Sequence, residues 1–234
     1  MRAAGIVPPP PAVHPWMLGQ RDWSPVTYGE RTTTGGRPAV KRSQVELIAV
    51  GCSLGGMHAL EELLKPLPQD FCVPIVVAQH RHRRSNEGLP AYFRRVTHLS
   101  VVDAEDKEWI KPGHVYLAPA DYHLLIERGE LSLSVDEAVR HSRPSIDVLF
   151  ESAADAYGSA LIGIVLTGAN DDGARGARRI KERGGTVIVQ DPKTAEAPVM
   201  PQATIDAVAV DQILPLSEIA SFLIARCARA VASR

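Results

Sequence analysis

The stretch that most constrains the fold is Val45 to Leu64. A short apolar run, Val45 to Val50, enters Gly51-Cys52-Ser53-Leu54-Gly55-Gly56, and a helical pattern follows from Met57 to Leu64. An apolar run of this length, interrupted by Glu46 alone and bounded by a glycine turn, reads as a strand of a parallel sheet. A helix that starts at once after it reads as the first crossover of a parallel sheet.

The rest of the chain repeats that grammar. Apolar runs at Phe71 to Ala78, Leu99 to Val102, Leu161 to Leu166 and Thr186 to Val189 predict further strands, with Val208 to Val210 as a candidate last one. Helical patterns fall at Asn86 to Val96, Ser145 to Tyr157, Gly173 to Arg183 and Leu216 to Ala232. Between them, Val115 to Ala118, Tyr122 to Ile126 and Leu131 to Val135 are short runs parted by turn residues, and predict an antiparallel meander or hairpin at one edge. The expected fold is α/β: a doubly wound, mainly parallel sheet with helices on both faces and an antiparallel edge hairpin.

Composition narrows the function classes. Lys+Arg is 26 against Asp+Glu 27, so no chain-wide basic field for nucleic acid exists. No apolar run approaches the roughly 18 residues of a membrane span. Four consecutive prolines, Pro8 to Pro11, break any signal-peptide core. The three cysteines, Cys52, Cys72 and Cys227, are scattered and show no CxxC spacing. A cytoplasmic location is expected. Residues 1–44 hold seven of the 18 prolines, with six basic and two acidic residues and no helical or strand period. They are expected to form a disordered arm ahead of a domain at 45–234.

In open α/β sheets function collects at the carboxyl ends of strands. Three such ends carry chemistry. Glycines around Ser53 allow a sharp turn that exposes its hydroxyl beside a helix N-terminus, as a nucleophile requires. A phosphate-binding turn fits the same pattern. A dinucleotide fingerprint fits poorly, because Ser53 replaces the middle glycine and no acidic residue ends the second run. Cys52 reads as a small core residue. His80, at the tip of the second run, is placed to act as a base, although Arg81, His82, Arg83 and Arg84 beside it also suit a solvated loop. The third end reads Leu166-Thr167-Gly168-Ala169-Asn170-Asp171-Asp172-Gly173. An aspartate there suits either a helix cap or an orienting partner for histidine. The set Arg175, Arg178, Arg179, Lys181 and Arg183 reads as a solvated helix face. His114, His123 and His141 read as surface or hydrogen-bonded histidines, and Trp109 as loop packing.

With these blocks in view, residues 45–223 resemble the catalytic domain of the chemotaxis protein-glutamate methylesterases, the CheB family. The resembling pieces are Gly51 to Gly56, Val77-Ala78-Gln79-His80, Gly113-His114-Val115-Tyr116-Leu117-Ala118-Pro119 and Arg143-Pro144-Ser145-Ile146-Asp147-Val148-Leu149-Phe150. Leu166-Thr167-Gly168 through Asp172-Gly173-Ala174, Val189-Gln190-Asp191-Pro192 and Met200-Pro201 complete the order. The resemblance implies Ser53 as nucleophile, His80 as general base and Asp172 as the carboxylate that orients it. It implies Leu54, Gly55, Ala169 and Met200 as oxyanion or substrate-pocket candidates. It implies no metal and no organic cofactor.

The implied reaction is hydrolysis of a glutamyl methyl ester on a chemoreceptor-like cytoplasmic helix, with glutamine deamidation as a companion activity. A signalling kinase or a separate receiver protein would be a further partner, since the 44 Pro-rich residues ahead of the domain cannot form a receiver domain. The sequence departs from the family pattern at Leu54, where a small or hydroxylated residue is usual. It departs also at Ala169, in place of methionine, and at Gln202, in place of arginine. Leu54 is expected to crowd the acyl pocket. A non-catalytic signalling module of the same fold, or a small-molecule carboxylesterase, are the rival readings.

Overall fold

The computed structural model describes residues 45–81 and 88–227. The predicted arm, the basic run from His82 to Arg84 and the end of the closing helix lie outside them.

The elements run β1 (Leu47–Cys52), α1 (Gly56–Leu64), β2 (Ile75–Gln79), α2 (Leu89–Phe93), β3 (Ser100–Asp103), β4 (His114–Leu117), β5 (His123–Glu127) and β6 (Glu130–Ser134). There follow α3 (Ile146–Tyr157), β7 (Leu161–Val165), α4 (Ala174–Glu182), β8 (Thr186–Gln190), α5 (Val199–Ala207), β9 (Gln212–Leu214) and α6 (Leu216–Cys227). Seven strands form one sheet in the order β3-β4-β2-β1-β7-β8-β9. Every pairing in it is parallel.

Burial of both sheet faces explains the apolar runs. Along β1, Ile48 and Val50 join one core with Leu60 and Leu63 of α1 and Ile219 and Leu223 of α6. Leu47 and Ala49 join the other, with Leu149 and Phe150 of α3, Ile180 of α4 and Met200 of α5. Successive side chains of a strand point to opposite faces, so one run feeds two cores.

The middle of the chain corrects the expected meander. Val115–Ala118 does not join the hairpin. Its residues 115–117 fall within β4, which lies inside the parallel sheet between β2 and β3. The sequence misleads there because short runs with polar turns look alike in either role. Among the described strands, β5 and β6 alone pair antiparallel, as a separate two-stranded sheet. The backbone N–H of Ile126 in that pair donates to Ser152 Oγ on α3 at 3.1 Å.

At the other edge, Val208 to Val210 is not a strand. Asp211 Oδ2 accepts the backbone N–H of Val187 at 2.7 Å, and the ladder begins only at Gln212. The helix α5 is an element that the sequence pattern did not announce.

The chain builds outward from β1 through β2 on one side and from β7 through β8 on the other. The direction of winding reverses between β1 and β7, where an α/β sheet leaves a crevice at its carboxyl edge. Gly51 pairs with Ala78 on one side and Val165 on the other. The segments that follow β1, β2 and β7 therefore emerge side by side. No described helix is long and apolar enough to cross a membrane.

Candidate active site

Ser53 leaves β1 on a tight turn. Gly56 N–H donates to Ser53 O at 2.9 Å, and Gly55 at the third position has φ 78° and ψ −1°. These are the angles of a type II turn, which only glycine takes without strain. A Cβ on Gly55 would also stand 2.8 Å from Glu196.

Thr167, just past β7, fastens this turn from behind. Its carbonyl accepts Ser53 N–H at 2.9 Å, and its hydroxyl donates to Leu54 O at 2.9 Å while accepting Ala197 N–H at 2.8 Å. The N–H of Thr167 donates to the buried Gln190 Oε1 at 2.9 Å. The amide of Ser53 is thus spent on Thr167 and is not an oxyanion donor.

His80 follows β2, and its backbone N–H donates to Cys52 O at 3.0 Å. His80 and Ser53 line one open cleft of about 480 Å³, together with Leu54, Gly55, Met57, Gln79 and Glu196. A second cavity of about 260 Å³, lined also by Arg81, His141 and Arg143, reaches His80 as well.

Behind His80 the residues are closed off from solvent. His80 Nε2 lies 2.8 Å from Asp172 Oδ2, and Asp172 is fully buried. Its Oδ2 also accepts Ile146 N–H at 2.8 Å. Its Oδ1 accepts Asp147 N–H and the Ser145 hydroxyl, each at 3.0 Å. Ser145 is the N-cap of α3, so the carboxylate sits on that helix's N-terminus. Burial alone would push the Asp172 pKa up. The hydrogen bond with His80 and the N–H bonds from Asp147 and Ile146 outweigh it, and hold the carboxyl below the ordinary range.

An ionised Asp172 leaves Nε2 as the ring nitrogen that carries the proton. Nδ1 is then the ring atom with the lone pair, the one that can accept a proton. Asn170 Nδ2 lies 3.4 Å from it, and Asn170 Oδ1 accepts Asp172 N–H at 3.3 Å.

A second carboxylate, Asp147, is also fully buried. Burial is the first cause that lifts its pKa, and the nearby Asp172 adds to it. The N–H groups of Gly176 and Gly173 and the Arg175 charge oppose the rise.

The structure brings Ser53, His80, Asp172, Leu54 and Gly55 to one place. Leu54 is 56% exposed, so it stands at the rim of the cleft rather than crowding it. Ala169 is exposed on the turn beyond Gly168 and does not line the cleft. Met200 is fully buried, packed beneath Gly168, where a Cβ would meet its Cε at 2.5 Å. It is a core residue and not a pocket wall. Cys52 is fully buried, and burial pushes its thiol far above the ordinary range, as expected of a core residue.

His123 is buried and hydrogen-bonded, accepting Ser145 N–H at Nδ1 at 3.2 Å. The α4 arginines are not simply solvated. Arg175 pairs with Glu151 at 2.6 Å, and Arg179 and Arg183 pair with Asp155 at 2.9 and 2.8 Å.

Sequence reasoning missed Thr167, Glu196, Asn170, Ser145 and Asp147. Ser145 and Asp147 lie far from Asp172 in the chain, and their signals were the Ser-x-Asp opening of a helix and their place in a block that resembles the family. Among the described residues no cluster of His, Cys, Asp and Glu suits a metal ion.

A serine on a glycine turn at the switch point of a parallel sheet, with a histidine and a buried aspartate behind it, defines the class: an α/β protein built on the plan of serine hydrolases. The CheB methylesterase family model matches residues 48–223. The chain belongs to that family. It is 48% identical over 180 residues to a putative protein-glutamate methylesterase/protein-glutamine glutaminase of Leptospira interrogans, covering 76% of this chain and 93% of the relative. It is 40% identical over 178 residues to the protein-glutamate methylesterase FrzG of Myxococcus xanthus, covering 76% of this chain and 53% of the relative. The chain thus spans about half the length of the latter. The crystal structure of the Thermotoga maritima CheB methylesterase catalytic domain superposes with a TM-score of 0.74 at 35% identity, covering 78% of this chain and 98% of that one.

Proposed function

We propose that the protein hydrolyses methyl esters of glutamate side chains on a methyl-accepting signalling protein, with Ser53, His80 and Asp172 as its catalytic triad. The observation that carries the reading is the His80 ring, bonded at Nε2 to a buried carboxylate while sharing a cleft with Ser53.

The chemistry follows from that arrangement. Ser53 Oγ attacks the ester carbonyl and its proton passes to His80 Nδ1. Asp172 stabilises the cationic ring that results. Collapse of the tetrahedral intermediate expels the methoxy group, which takes the proton from Nδ1 and leaves as methanol. Water then attacks the acyl-enzyme and gives a proton to Nδ1, and collapse of the second intermediate passes that proton to Ser53 Oγ and frees the glutamate carboxyl. The Leu54 amide, in the turn ahead of α1, is the candidate oxyanion donor. The same steps with an amide release ammonia and deamidate glutamine.

The form of the cleft supports a side chain presented on a protein surface. Small-molecule pockets enclose most of their ligand. This cleft is open, and its rim carries exposed Leu54 and Met57. A cytoplasmic location suits the free thiols of Cys52, Cys72 and Cys227. Incubating a methylated receptor fragment with wild type and Ser53→Ala tests the reading by mass spectrometry. Loss of the methyl group at glutamate with wild type alone supports it. Equal loss with both enzymes, or robust cleavage of simple esters with none of the receptor fragment, contradicts it.

A further inference from the structure

We propose that Asp147 is a positioning residue of the reaction: its carboxyl ties the N-terminus of α4 to the N-terminus of α3 and so fixes Asp172 against His80. The proposal rests on the triad reading above.

The two buried aspartates exchange caps. Asp172 precedes α4 and accepts the first free N–H groups of α3, those of Ile146 and Asp147. Asp147, in the first turn of α3, accepts the first free N–H groups of α4. Its Oδ1 lies 2.9 Å from Gly173 N and 2.8 Å from Gly176 N. Each helix N-terminus leaves such donors unsatisfied unless something accepts them. Here each is capped by the other's aspartate.

The exchange closes a ring. Asp147 N–H holds Asp172, and the side chain of the same residue holds Gly173, the next residue in the chain after Asp172. Gly173 has φ 101°, and a Cβ there would stand 2.8 Å from Ile146 Cγ2, so the turn that carries Asp172 has little room to shift while the ring is closed.

The second oxygen of Asp147 separates a role in placement from a role in charge. Oδ2 is buried and has no hydrogen-bond partner among the described residues. Two guanidinium groups face it from outside hydrogen-bond range, Arg175 Nε of α4 at 3.6 Å and Arg140 Nε of the 139–142 turn at 3.8 Å. Both have nearer partners, Glu151 for Arg175 and Asp171 for Arg140. Asp172, itself bonded to His80, is the other charged neighbour. The side-chain bonds that reach the turn of Asp172 both pass through Oδ1, which an asparagine also supplies. The role is therefore one of placement.

The test compares wild type with Asp147→Ala, Asp147→Asn and Asp147→Ser, following the rate of fluorophosphonate labelling at Ser53 against pH and ester turnover. Asp147→Ala opens the ring, and a carboxylate displaced by about 1 Å costs on the order of 100-fold in rate. The loss falls on kcat and not on KM. The acid limb of the labelling profile moves to lower pH, because a looser Asp172 holds the ring proton less well. Asp147→Asn restores both the rate and the limb. Asp147→Ser draws the acceptor back by one atom, gives an intermediate loss, and serves if the alanine variant does not fold.

A folded Asp147→Ala or Asp147→Ser with wild-type rate and limb overturns the proposal. So does an Asp147→Asn as impaired as Asp147→Ala, since charge would then be the cause. Failure of the triad reading looks different, because His80→Ala would then label Ser53 as fast as wild type.

Discussion

The two sides of His80 are built on opposite terms. On the serine side the residues are reachable: Leu54, Met57 and Glu196 are exposed around an open cleft. On the aspartate side Ser145, Asp147 and Asp172 are fully buried, and Asp172 takes four hydrogen bonds. The contrast follows from what each side must do. A nucleophile has to meet a carbonyl carried on another molecule, and the proposed one stands on a turn with an exposed rim that Thr167 fastens from behind. An orienting carboxylate works best where water does not compete, because its interactions strengthen in a low dielectric. Burial without partners would neutralise it, and two crossed helix N-termini supply those partners.

Substitutions on the two sides should differ in kind as well as in size. Ser53→Ala has the largest expected effect, a loss of turnover of roughly 10³-fold or more with binding of the methylated protein retained. Asp172→Asn comes next, on the order of 10²–10³-fold in kcat, since the ring loses the charge that stabilises its cation. Single-turnover kinetics on purified variants would check both.

The two buried carboxyls should also respond to acid in opposite directions. The Asp172 pKa is depressed in the folded protein, so its stabilisation is present above the unfolded value of about 3.9 and is lost as pH falls through the lower folded value. The Asp147 pKa is raised, so its ionised form carries a penalty that is relieved as pH falls through the folded value toward the unfolded one. Urea midpoints measured between about pH 6 and pH 2 should fall less steeply in Asp172→Asn than in wild type, and more steeply in Asp147→Asn.

Effects on the rim are smaller. Leu54→Ala should raise KM about 5-fold with kcat unchanged, as removing about 1 kcal/mol of apolar contact requires. Glu196→Gln should act least. Its carboxylate sits beside the turn that receives a neutral ester and releases an anion. The variant should bind the glutamate product about 2-fold more tightly, in a manner that salt erases.

The sequence told the two sides apart unevenly. The serine turn was legible because glycine spacing writes a turn into the chain locally, and Gly55 takes the positive φ that such a turn needs. The parallel core was legible because runs such as Leu161 to Leu166 are apolar on both faces. The carboxylate side was only half legible. Asp172 could be read as a cap or an orienting group, and it accepts helix N–H groups as well as the histidine. Asp147 and Ser145 act across 25 and 27 residues of chain, through a helix crossing that no local pattern encodes. Met200 was misplaced for a related reason. Its place in a block that resembles the family said nothing of which way α5 would turn it, and the structure packs it under Gly168.

The measurement that bears most directly on the account is fluorophosphonate labelling of wild type, Ser53→Ala and His80→Ala, with the adduct located by mass spectrometry. The account predicts a single adduct on Ser53 in wild type, none in Ser53→Ala and little in His80→Ala. An adduct elsewhere, or labelling of Ser53 that does not depend on His80, would contradict it.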